Sequence, residues 1–210
     1  MATTIPPEEL LGYYASGWFP MADPEGVLRI YSPDPRGILP LDAFHIPHGS
    51  RKAVHDPAWE FRFDTCFNEV LGACAERRET WIDAGIARSY CRLHRAGHAH
   101  SVEVFREGRL AGGLYGVRLG AAFFGESMFH RVTGASKAAL AKLVETLLRG
   151  NFQLLDIQWN TAHLALFGAR EISRRRYMVQ LRKAVGGKAT WSPQNGPVQA
   201  GALLRAACRT

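Results

Sequence analysis

Cysteine is scarce and scattered: Cys66, Cys74, Cys91 and Cys208, with no C-x-x-C pair. Neither a disulfide framework nor a cysteine-ligated zinc site is suggested, and the thiols are expected to be reduced and mostly buried. Long apolar runs are missing too. None approaches the ~20 residues that cross a bilayer. Met1 to Pro7 lacks the basic-then-apolar layout of a signal peptide, so a cytoplasmic protein without membrane contact is expected. Internal repeats are absent. Gly112, Gly113, Gly116 and Gly120 form neither a G-x-G-x-x-G fingerprint nor a P-loop, which leaves nucleoside triphosphate binding without support. Ser127 does not sit in a G-x-S-x-G elbow. His94, His98 and His100 have no H-E-x-x-H or carboxylate companion, so turn and capping hydrogen bonds are the expected use and no metal site is assigned.

What is present is the profile of one globular domain or two small ones: 210 residues, 47% hydrophobic and 21% charged. The formal charge is +7, and 21 of the 26 cations are Arg, whose planar fork suits phosphate. The charge is uneven. Residues 149–210 hold ten bases against two acids, Asp156 and Glu171, while residues 1–50 hold six acids against Arg29 and Arg36. The C-terminal part reads either as a polyanion face or as a solubilising surface.

Periodicity and punctuation predict the elements. Pro7 to Ser16 is a helix with Pro7 in its opening turn, Glu8 and Glu9 at its positive end and Gly17 at its exit. From Pro20 to Pro40 the chain is dense in turn formers, so its backbone is expected to be held by proline rather than by ladders. Glu60 to Asp64 alternates like a strand, and Phe67 to Ala75 and Ala84 to Ala96 read as helices. An antiparallel meander follows at Ser101 to Arg106, Arg109 to Arg118 and Ala121 to Phe129. Lys137 to Arg149 is a helix, Gln153 to Trp159 a strand, and another helix starts near Thr161. This order argues mixed α/β with helices on both sides of one sheet, and it matches N-acetyltransferase-like (GNAT) domains. Residues 1–36 read as a small N-terminal domain, 37–186 as the main domain and 187–210 as a mobile tail.

Three polar groups stand out on apolar strands. Glu126 lies within Phe123–Phe129, where a two-residue period places it with Phe124 and Met128 on one face; Asp156 and Gln158 share a face of Leu154–Gln158. A buried polar group left unpaired costs ~1–3 kcal/mol. Two readings stand: a small-ligand site with convergent polar groups, or ion pairs with arginines such as Arg131 or Arg174 that pin strands together. Trp18, Phe19, Tyr31, Trp81 and Tyr90 lie near turns, interleaved with Arg36, Arg51, Lys52 and Arg131, a composition compatible with stacking on a base or with ordinary packing.

The segments Gly17–Pro20, Ser32–Gly37, Glu79–Ile82, Gly97–Glu103, Gly112–Gly116, Gly125–Phe129, Ala135–Lys137 and Asp156–Gln158 occur in order between about Leu10 and Leu181. Together they make the chain resemble the leucyl/phenylalanyl-tRNA–protein transferases. The resemblance implies a GNAT-like fold, with mixed, largely antiparallel sheet flanked by helices, behind a small N-terminal domain. It implies transfer of Leu or Phe, less so Met, from aminoacyl-tRNA to the N-terminal Arg or Lys of acceptor proteins, which marks them for N-degron proteolysis. No cofactor is implied, because the tRNA ester is already activated, and a monomer is expected. By motif, Asp156, Gln158 and Glu126 take the catalytic positions. Leu114, Phe123, Met128, Leu140, Leu143, Leu147 and Leu155 take the aminoacyl side-chain pocket. Tyr14, Trp81 and Tyr90 match the aromatic positions around the terminal adenosine. Met21 stands where some members carry a second tryptophan, and Met21 or Trp18 is expected to substitute for it. Arg51, Lys52, Arg131, Arg174, Arg175 and Arg176 are the candidates for the acceptor stem. Two other readings compete: an acyl-coenzyme A-dependent GNAT enzyme, and an RNA-binding module without catalysis.

Overall fold

The computed structural model describes residues 3–23, 25–76 and 80–199; Glu79, Cys208 and residues 200–210 of the expected tail lie outside the described residues. Helix α1 (Pro7–Ala15) opens on Pro7 with Glu8 and Glu9 in its first turn, and it buries Leu10 and Tyr14. The proline-dense stretch that follows forms ladders where turns alone are expected. Strands β1 (Phe19–Ala22) and β2 (Leu28–Tyr31) make a two-stranded antiparallel ribbon, and β3 (Arg36–Ile38) joins the main sheet. Pro20 lacks a donor, and a two-stranded ribbon, being all edge, tolerates that.

A short helix α2 (Arg51–Val54) leads to β4 (Glu60–Phe63), α3 (Phe67–Ala75) and α4 (Ala84–Arg95). Asp83 caps α4 by accepting from Ile86 N–H at 2.7 Å. The meander β5 (Ala99–Arg106), β6 (Arg109–Leu119) and β7 (Ala122–His130) is followed by α5 (Ala135–Arg149) and β8 (Leu154–Gln158). After Thr161, where one helix is expected, the chain forms α6 (Ala162–Ala165), the short strand β9 (Arg170–Ile172) and α7 (Arg174–Val185).

The sheet order is β4-β5-β6-β7-β8-β3-β9, antiparallel except where β7 runs parallel to β8. One face carries α1, α3, α4 and α7 over a core that includes Leu10, Tyr14, Tyr90, Phe124 and Tyr177. The other carries α2 and α5 over Val54, Leu114, Phe123, Leu143 and Leu155. The mixed, largely antiparallel sheet with helices on both sides is the expected architecture. Among the described residues no helix is long and apolar enough to cross a membrane.

His94 Nδ1 lies 2.8 Å from Ala99 O, and His100 Nδ1 lies 2.9 Å from Asp64 Oδ2. Among the described residues no His, Cys, Asp and Glu side chains form a group of three placed to hold a metal ion. The start of the expected mobile tail is packed on the domain. Trp191 stacks on His100 and donates to Asp64 at 3.1 Å, and Gln199 N–H donates to Glu145 at 3.0 Å. Over residues 188–199 the lack of periodicity reflects a strap without its own ladder, held by bonds to α5 and to Asp64 after β4 and by stacking on His100 of β5.

Candidate active site

The site begins with a break in register. Tyr115 pairs with Ser127 and Gly116 with Gly125, so Glu126 is the extra residue of a β-bulge on β7. The bulge needs Gly116: a Cβ there would fall 2.3 Å from Phe124 O. It also overturns the expected alternation. Phe124 packs on the α1–α4 side, whereas Met128, opposite Leu114, packs on the α5 side, so Met128 does not share the face of Glu126 and Phe124.

Beside the bulge the parallel pair separates. The β7–β8 ladder ends at Phe124–Asp156, and β8 turns its other edge to β3. A cavity of about 330 Å³ opens in the gap, with Leu114, Met128, Leu140, Leu143, Leu155, Ile157 and Leu164 among its walls, Phe19, Met21 and Trp81 lining it from the N-terminal half, and Glu126 and Gln158 among its polar lining. Carboxyl ends of splayed parallel strands are the usual place for a ligand.

Five of the seven expected pocket residues line this cavity; Phe123 and Leu147 do not. Phe123 stacks instead on Trp191 and meets Phe152 edge-on, and Leu147 lies in the core under α5. Trp81 and Met21 line the cavity, and Trp18 is exposed with Arg174 over its ring. Tyr14 and Tyr90, expected to stack on adenosine, have no exposed surface. Their hydroxyls lie 2.6 Å apart, and Tyr90 donates to Glu126 Oε2 at 2.8 Å. Burial and the nearby Glu126 charge push both phenols well above their ordinary value, so they remain donors.

Loss of hydration pushes the Glu126 carboxyl up to about 7, against the opposing phenol hydrogen bonds. Gln158 lies beside it, with Nε2 3.4 Å from Glu126 Oε1. Turning the Gln158 amide over lets it donate to Gly125 O at 2.9 Å and Ile157 O at 3.1 Å. Its oxygen then faces Glu126, as an acceptor for the carboxyl whenever that group carries its proton.

Asp156 is fully buried and outside the cavity lining, and its partner is Arg36. Arg131, expected as a carboxylate partner, lies 3.6 Å from Glu76, and Arg174 donates to Ser32 O. Arg36 had a legible signal: a single cation opening the apolar run Gly37-Ile38-Leu39 must find an anion when buried. Trp159, Ile157 and Leu164 had none, because only the splay of β8 brings them to the cavity. The basic candidates fall on two layers: Arg51 and Lys52 on α2, and Arg174, Arg175 and Arg176 on α7 across the sheet.

A mixed, largely antiparallel sheet with a bulged strand, a splayed parallel neighbour and a cavity in the gap is the architecture of a GNAT-like domain. Comparison with known sequences narrows the class. The family model of the leucyl/phenylalanyl-tRNA protein transferases matches residues 38–182. The protein so named from Akkermansia muciniphila is 50% identical over 190 residues, covering 88% of this chain and 98% of that one. That from Salinibacter ruber is 48% identical over 194 residues, covering 92% and 86%. That from Paramagnetospirillum magneticum is 50% identical over 195 residues, covering 90% and 93%. The chain belongs to the leucyl/phenylalanyl-tRNA–protein transferase family, and the coenzyme A and non-catalytic readings are set aside.

Proposed function

We propose that this protein takes leucine or phenylalanine, and methionine less well, from its tRNA ester and joins it to the N-terminal Arg or Lys of an acceptor protein, creating an N-degron. The observation that carries the reading is the apolar cavity of about 330 Å³ with Glu126 and Gln158 side by side in its lining. Its volume is at the small end of ligand pockets, about 300–1,000 Å³, which fits one large apolar side chain that is not branched at Cβ.

With that side chain seated between Met128, Leu140 and Leu143, the ester carbonyl lies toward Gln158. The acceptor α-amine attacks the carbonyl carbon. A C–N bond forms, the bond to the ribose oxygen breaks, the amine gives up a proton and the ribose oxygen gains one. Glu126, poised near neutrality, is the group suited to take a proton from the ammonium. Gln158 orients the reacting groups, so proximity supplies much of the rate.

Trp81 and Met21 offer the stacking surface for the terminal adenosine, and Tyr14 and Tyr90 serve Glu126 instead. The α7 arginines are the favoured phosphate contacts, since Arg174 sits over Trp18 beside the wall formed by β1. Residues 1–36 act as the small domain of the tRNA 3′ end and 37–186 as the catalytic domain, with the protein working as a monomer in the cytoplasm. Incubation with radiolabelled Phe-tRNA and a peptide bearing an N-terminal Arg is expected to label the peptide without ATP; the same peptide acetylated at its N-terminus is expected to remain unlabelled. No transfer from fully charged tRNA overturns the proposal.

A further inference from the structure

Asp156 has no acceptor position left for a substrate proton. Its Oδ1 accepts from Arg36 Nε at 3.0 Å and from the Gln158 N–H at 2.9 Å. Its Oδ2 accepts from Arg36 Nη2 at 2.8 Å and from the Tyr177 hydroxyl at 2.6 Å. Both side chains of the ion pair have 0% exposure, and neither residue lines the cavity. The third guanidinium nitrogen, Nη1, donates to Gly17 O at 2.9 Å, and the guanidinium lies 5.0 Å from the Phe19 ring centre and 4.5 Å from that of Tyr177.

The geometry points to Arg36 as a positioning residue of the transfer reaction, which fixes the cavity wall at Phe19 and, through Asp156, the backbone of Gln158 in one frame. This rests on the transferase reading above and assigns within it a role to a residue remote from the reacting atoms. Two features support a positioning rather than a merely cohesive part. Gln158 has φ +57°, a left-handed conformation that a residue other than glycine keeps only where surroundings hold it. The bond that holds its N–H comes from Asp156 Oδ1, the oxygen that also accepts from Arg36 Nε. Second, the fork is directional. A lysine supplies the charge but not two parallel bonds to one carboxylate together with a third to Gly17. On the far side, Gly37 of β3 passes so close to the turn after Gln158 that a Cβ would fall 2.6 Å from Asn160 N and from Trp159 C, so this strand end has little room to shift.

The test is steady-state transfer of Phe from tRNA by the full chain, with Arg36→Lys and Tyr177→Phe beside the parent. Tyr177→Phe removes one of the four bonds to Asp156 and no charge. Arg36→Lys is expected to lower kcat by about 30-fold with KM for Phe-tRNA within about threefold, because misplacement by an ångström weakens reaction more than binding. Tyr177→Phe is expected to lower kcat by about fivefold, also without a KM change. The acid limb of the pH profile stays where the parent has it, since neither variant changes the charge facing Glu126. Arg36→Lys with parental kcat and a lowered Tm overturns the proposal, as does loss or displacement of the acid limb. If Arg36→Lys does not fold, Tyr177→Phe decides, and parental kcat in that variant overturns it. An inactive parent overturns the transferase reading and this inference together; an active parent with active variants overturns this inference alone.

Discussion

Asp156 on β8 meets four donors and no solvent, whereas Glu126 on the neighbouring strand meets the Tyr90 hydroxyl, the Gln158 amide and the open cavity. Both are carboxyls on apolar strands, and in sequence they look alike. Donor count and access separate them. A carboxylate whose lone pairs are all taken is an anchor, and one with spare capacity and poor hydration can exchange a proton near neutral pH. On the proposed reading, cohesion falls to the residue that the Asp-Ile-Gln motif brings forward, and proton handling to the one on the bulge.

The largest effect that would break this comparison is on stability. Asp156→Ala leaves the Arg36 charge buried without its partner, a change worth about 3–5 kcal/mol, and it is expected to lower the urea midpoint sharply and abolish transfer. A variant as stable as the parent would put Asp156 outside the framework.

Glu126→Gln is expected to fold, and its effect is catalytic. In the parent, kcat/KM is expected to rise with pH through about 7 as the carboxyl loses its proton. The variant is expected to lack that limb and to be slower by about 10²-fold above it. Stability moves the other way. The folded state holds the Glu126 proton more tightly than the unfolded chain between the ordinary value of 4.5 and about 7. The parent therefore loses stability as pH rises through that window, and the variant does not. Thermal melts at pH 5 and pH 8 are expected to show the Tm difference shifting toward the variant at the higher pH. A parent profile flat through pH 7 would remove the distinction between the two carboxyls.

The smallest effect sharpens the contrast between the two basic regions. Arg175→Ala is expected to reduce the salt slope of tRNA binding by about one unit, as for one phosphate contact, and Lys52→Ala by nearly none. Filter binding across a salt series measures both, and the reverse result would move the stem to the α2 face.

The sheet meander, α3, α4 and α5 were legible because apolar spacing and turn residues agree over long segments, as at Phe67–Ala75. The hairpin β1–β2 was not, because its strands are short and its prolines read as turns. Five residues that the motifs bring forward line the cavity, but the bulge at Glu126 could not be foreseen, since an extra residue in one strand leaves no mark on the apolar pattern. The same limit turned Tyr14 and Tyr90 from expected stacking faces into buried supports for Glu126.

The sequence by itself determined the family, the mixed sheet and the trio Glu126, Asp156 and Gln158, since motif spacing and polarity are local properties of the chain. Only the tertiary structure decided which carboxyl faces the cavity and which is closed off. That depends on Arg36 arriving at Asp156 from 120 positions away and on Tyr90 reaching Glu126 across the core. Hydration and donor supply belong to the packed state, and no short stretch of residues contains them.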